Sequence, residues 1–81
     1  MNVTVRFFAR ARDVAGADSA VVALPDRATV ATLRRHLADA YPALRGLLER
    51  SAIAVNDDYA DDNLPLAANG EVALLPPVSG G

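Results

Sequence analysis

The hydrophobic pattern changes period several times along the chain. In "VTVRFFA" (residues 3–9) apolar and polar positions alternate. Val3, Val5, Phe7 and Ala9 share one face, and Thr4, Arg6 and Phe8 the other. That period of two predicts a half-buried strand. Residues 10–18, with Gly16 near the tip, read as a connection. "SAVVAL" (19–24) is rich in β-formers and predicts the second arm of a hairpin, ended by Pro25 and Asp26. The period then lengthens. Val30, Leu33, Leu37 and Ala40 fall at spacings of 3, 4 and 3, which draws one apolar stripe down a helix from Val30 to about Ala40. Thr29 is placed to cap it. Arg34, Arg35 and Asp39 fall off the stripe and are expected to face away. Tyr41 precedes Pro42, which disfavours further helix. "PALRGLLER" starts on proline and predicts a short second helical piece. "AIAV" (52–55) and "EVALL" (71–75) are strands. Between them lie an acidic loop, "NDDYADDN", and a turn, "LPLAANG", in which Gly70 is free to take a positive φ.

The resulting order is β, β, α, β, β. It predicts an α+β domain of the β-grasp, ubiquitin-like class: a mixed sheet with one main helix across one face. Residues 1–75 are expected to form the domain. Residues 76–81 are expected to form an extended, flexible C-terminal tail.

Composition narrows the function classes. The sequence has 81 residues, 52% of them hydrophobic and 22% charged, a globular balance suited to one domain. The net charge is −2 with no basic block, which argues against nucleic acid as a partner. No cysteine is present, so disulfides, thiolate metal sites and a cysteine nucleophile are excluded. "MNVTVRFFAR" lacks the basic-then-apolar character of a secretory signal, and no apolar run is long enough for a membrane span. A cytoplasmic location is expected. All eight cationic side chains are arginine.

Few side chains offer chemistry. His36 is the single histidine, and it is expected on the polar side of the helix beside Arg34 and Arg35. Asp57, Asp58, Asp61 and Asp62 lack the spacing and central glycine of a calcium loop, so a solvated acidic loop is expected rather than a metal site. Arg6, Arg10 and Arg12 could meet an anion or balance Asp13 and Glu71. Phe8 should point away from the core if Phe7 points in, and Leu75 should share that outer face, with Tyr59 nearby. Such a patch is either a protein-docking surface or is covered by loops.

The strongest signal is "PPVSGG". A chance Gly-Gly terminus occurs in about one sequence in two hundred. Pro76 and Pro77 cannot extend a ladder and favour an extended path, so six residues reach about 19 Å. Gly80 and Gly81, without Cβ atoms, fit a slot too narrow for other residues. A stiff stem with a slim tip suits a carboxylate that is delivered into the active sites of other proteins. There, attack on the α-phosphate of ATP turns it into an acyl adenylate. The sequence contains nothing like a phosphate-binding loop, so ATP and magnesium must be held by the activating partner.

"FFARARDVAG", "VATLRRHL", "AVN" and "NGEVALLPPVSGG" together resemble the MoaD family of sulfur carriers, the small subunits of molybdopterin synthase, over nearly the whole chain. Asp13 and the Asn69-Gly70-Glu71 turn depart mildly from the family pattern. The resemblance implies that Gly81 is adenylated by a ubiquitin-activating-type enzyme and converted to a thiocarboxylate. It further implies that the tail enters the large subunit and gives sulfur to cyclic pyranopterin monophosphate. The catalytic side chains of that step then belong to the large subunit, and the carrier itself binds no cofactor. Phe8, Tyr59 and Leu75 match the family's partner-binding apolar patch. Pro76, Pro77, Val78 and Ser79, in the stem that follows it, are likewise expected to bind the partner, and Gly80 is needed for passage. Two rival readings share the fold and tail: a sulfur carrier for another product, such as thiazole or cysteine, and a ubiquitin-like protein modifier.

Overall fold

The computed structural model describes residues 1–77. Five strands form one sheet: β1 (Asn2–Phe7), β2 (Ser19–Ala23), β3 (Ala52–Val55), β4 (Asp58–Tyr59) and β5 (Glu71–Leu75). Their spatial order is β2-β1-β5-β3-β4. β1 and β5 run parallel at the centre, and every other pair is antiparallel. α2 (Val30–Ala40) is the main helix. This is the β-grasp topology expected from the element order.

Alternation sorts the sheet into two faces. Val3, Val5 and Phe7 of β1, Ile53 of β3, and Val72 and Leu74 of β5 are buried, and they pack with Val30, Leu33 and Leu37 of α2. Burying a leucine of this kind stabilises the fold by about 1.5–3 kcal/mol relative to leaving it exposed. Phe7 meets Tyr41 edge-on, with ring centroids 5.5 Å apart. Ala40, expected on the stripe, is exposed, and the half-buried Tyr41 closes that end of the core instead.

The start of α2 is fully accounted for. Thr29 caps it in a reciprocal arrangement: Thr32 N donates to Thr29 Oγ1, and Thr29 N donates to Thr32 Oγ1. Val30 N and Ala31 N donate to the carbonyls of Leu64 and Asp62, each at 3.0 Å. The loop after β4 thus lies over the helix N-terminus and satisfies amides that would otherwise lack partners.

Several local expectations are corrected. β1 ends at Phe7, and Ala9 is not on its inner face: Ala9–Ala15 form a helix, α1, where a plain connection was expected. Its only buried residue is Ala11, so it carries no apolar stripe large enough to show a helical period. Gly16, at φ 73°, closes it with a left-handed cap, its amide bonded to Arg12 O at 2.9 Å. "PALRGLLER", by contrast, is helical from Pro42 as expected: a short 3₁₀ turn (Pro42–Leu44) followed by α3 (Arg45–Leu48). The acidic loop contains β4, whose two residues are both exposed and therefore leave no hydrophobic trace. The positive φ of the last turn belongs to Asn69, at 61°, and not to Gly70.

Candidate functional site

Among the described residues, no helix covers the sheet face opposite α2. Register fixes what it displays. Arg6 pairs with Ala73, Ala73 with Ala54, and Ala54 with Tyr59, so these four form one row across the outer face. The next position on β5 is Leu75, opposite Ala52 of β3. Beside it the chain turns out of β1. Phe8 keeps an extended backbone, and Ala9 takes φ 50°, in the left-handed region. That turn carries the chain away from β5 just after Phe8.

The result is a shallow depression of about 460 Å³ lined by Phe8, Ala9, Arg50, Ala52, Tyr59, Leu75, Pro76 and Pro77. The structure therefore brings Phe8, Tyr59, Leu75, Pro76 and Pro77 to one place. Phe8 is 43% exposed and Tyr59 81%, far more than their apolar rings would be in a core. No loop among the described residues covers them. Val78, Ser79, Gly80 and Gly81 lie outside the described residues. Strand β5 ends at Leu75, so Pro76 and Pro77 leave the sheet at the rim of the depression.

Arg50, Ala52 and Ala9 are additions to the set expected from sequence. Ala52 arrives through the β3–β5 register and Arg50 through the turn between α3 and β3, neither of which a local pattern reveals. Ala9 arrives through the unexpected end of β1.

The other candidates are placed elsewhere. Arg6 pairs with Glu71 at 3.6 Å on the outer face, both side chains more than half exposed. Arg12 pairs with Asp18 at 3.9 Å rather than with Asp13. His36 sits half-buried on α2 with Nδ1 3.0 Å from the Thr32 carbonyl oxygen of its own helix. Among the described residues, no group of three or more histidine, aspartate or glutamate side chains is arranged to hold a metal ion. Asp62 is not merely solvated: its carboxylate accepts from Arg34 Nε at 2.9 Å. Among the same residues, no helix is long and apolar enough to cross a membrane.

The sequence profile described as the ThiS family matches residues 5–81. The chain belongs to the ThiS family. Within that family it is 40% identical, over 95% of its own length and 93% of the relative's, to the molybdopterin synthase sulfur carrier subunit of Dictyostelium discoideum. Among solved structures it is similar to SAMP1 from Haloferax volcanii, with a TM-score of 0.89, 30% identity and full coverage of both chains. It is also similar to a chain in the complex of subunits 1 and 2 of molybdopterin-converting factor from Helicobacter pylori, with a TM-score of 0.72, 33% identity and full coverage of both chains. A Caldiarchaeum subterraneum ubiquitin shares the fold alone, at a TM-score of 0.68 and 15% identity over all of this chain and 98% of that one. The ThiS-family fold and the ubiquitin-like β-grasp are thus one architecture in this chain.

Proposed function

We propose that this chain is a sulfur carrier that acts as the small subunit of molybdopterin synthase. The observation that carries the reading is the exposed apolar depression of Phe8, Tyr59 and Leu75 at the root of "PPVSGG", in a chain of the ThiS family. The relative from Dictyostelium bears the name of that subunit, and the Helicobacter structure is a complex of two subunits. Both support a large subunit as the partner, and the reading seats it on the depression.

The chemistry follows from the tail. A carboxylate is a poor electrophile. On an adenylating enzyme of the ubiquitin-activating type, which holds ATP and magnesium, a Gly81 carboxylate oxygen attacks the α-phosphorus of ATP and pyrophosphate leaves. Sulfur at the sulfide level (HS⁻) then attacks the acyl carbon, AMP leaves, and a thiocarboxylate stands on Gly81. In the large subunit that thiocarboxylate gives its sulfur to cyclic pyranopterin monophosphate, and water restores the carboxylate. A dithiolene holds two sulfurs, so two charged carriers are consumed per product. The domain contributes position rather than catalytic side chains, as a swinging carrier arm does. The reading places the protein in the cytoplasm.

Intact mass of the protein isolated from its own cell tests this directly: the expected species carries one oxygen-for-sulfur exchange at Gly81. Deletion of Gly81 moves the carboxylate back by about 3 Å. Misplacement by about 1 Å already costs about a hundredfold in rate. The deletion variant, and Gly80→Val through its branched Cβ, should fold and dock normally. Both should lose ATP–pyrophosphate exchange or sulfur transfer by at least that factor. Near-parent rates in both steps would refute the carrier arm.

The likeness to SAMP1, whose name stands for small archaeal modifier protein 1, supports a second reading, a protein modifier joined to target lysines. The tail chemistry is then the same up to the adenylate. Recovery of the tail in isopeptide linkage, and never as a thiocarboxylate, would favour it.

A further inference from the structure

The depression is apolar except for one charged side chain. Arg50 lines it beside Phe8, Tyr59 and Leu75. Two other arginines near this face or at its edge have partners: Arg6 has Glu71, and Arg12 has Asp18; Arg10 has none among the described residues but does not line the depression. On the helical side, Arg34 has Asp62. Arg50 is exposed, and no carboxylate among the described residues lies within 4.0 Å of it. In the free protein, water solvates its guanidinium. A partner that covers Phe8, Tyr59 and Leu75 removes that water. A guanidinium so covered without a counter-charge would cost more than the neighbouring apolar contacts return.

We propose that Arg50 is the charged anchor of this docking surface, and that the partner presents an aspartate or glutamate carboxylate to it within an otherwise apolar contact. This rests on the reading of the depression as the seat of the large subunit. Two features make the anchor specific. Arginine offers a planar fork that pairs with a carboxylate through two parallel hydrogen bonds, which fixes orientation as well as attraction. Arg50 also lies at the rim shared with Pro76 and Pro77, where the tail leaves β5. A partner locked there is oriented relative to the tail, and a surface that is merely greasy lacks the matching acid and is rejected.

The test uses the full chain and the large subunit of molybdopterin synthase encoded in the same genome, with dissociation constants measured by calorimetry at low and high salt. Arg50→Glu should weaken binding by roughly tenfold or more. Arg50→Gln should weaken it less and flatten its salt dependence. Arg50→Lys should restore the salt dependence and only part of the affinity. Thermal midpoints should stay close to the parent's, because Arg50 is exposed. Phe8→Asp is the control for the docking surface itself and should also weaken binding. If Phe8→Asp weakens binding while Arg50→Glu binds within about twofold of the parent, at a salt slope equal to the parent's, the anchor is overturned and the docking surface stands. If neither substitution changes binding, both fall. If Arg50→Glu alone weakens it, the apolar seat is overturned, and with it the anchor as part of an apolar contact.

Discussion

A Cβ added to Gly70 would lie 2.9 Å from the Ala67 carbonyl oxygen, a backbone atom that cannot simply swing aside. The same residue is tied on both sides. Its amide donates to Ala67 O at 3.0 Å, and its carbonyl accepts from Thr4 N at 2.9 Å. Gly70 is therefore held where the turn feeds β5 into its pairing with β1. Gly70→Ala should cost about 1–2 kcal/mol, and each kcal/mol lowers the thermal midpoint of a domain this size by about 4–8 °C. Thermal unfolding followed by circular dichroism checks it; an unchanged midpoint would show that the turn shifts freely. The glycine itself is visible in the sequence, but its reason is not. Positive φ is the usual reason for a glycine in a turn, and here the neighbouring Asn69 takes that conformation. Close approach of two backbone segments depends on how the turn folds back, which no local pattern encodes. The same limit applies to Ala9, whose left-handed backbone ends β1 two residues earlier than alternation suggests.

Elements were legible in proportion to what they bury. α2 shows in the sequence because Val30, Leu33 and Leu37 all reach the core. α1 buries only Ala11, and β4 buries nothing, so neither writes a period. Arg34 is the instructive case within α2. Its place off the stripe predicts a solvated side chain, yet its side chain is only 22% exposed. Nε donates to Asp62, and a second guanidinium nitrogen donates to the Leu48 carbonyl. One side chain thus joins α2, the end of α3 and the loop that caps α2. Its long stem makes this possible, since arginine can lie along apolar surface and still present its head to acceptors. Arg34→Ala should cost about 1–3 kcal/mol. Arg35→Ala, one residue along and exposed, should stay within about 0.5 kcal/mol of the parent. Paired urea titrations check the contrast, and equal midpoints would show that the Arg34 contacts contribute nothing net.

At the scale of the whole molecule, the β-grasp class was readable, and the outer face shared by Phe8 and Leu75 followed on the condition that β5 lies beside β1, as it does; the edge strand β4 was not readable. Register was not either, because a pairing such as Ala52 with Leu75 joins residues distant in sequence; Ala52 entered the site by that route, and Arg50 by the turn just before it. Composition adds a further constraint at this scale. With arginine at every cationic position and no lysine, no side chain of this protein can accept an activated carboxylate as an isopeptide. Incubation with the adenylating enzyme and ATP, followed by peptide mapping, should find no side-chain amide between two copies. A mapped side-chain linkage would contradict it. Lastly, β5 lies between β1 and β3, and the chain continues from it into Pro76. A pull applied through that stem would run along the strand and load two ladders at once. Their bonds would have to slide together instead of opening one after another, as they would in a strand peeled from a sheet edge. The stem is thus rooted where two neighbouring strands, and not one, hold the chain.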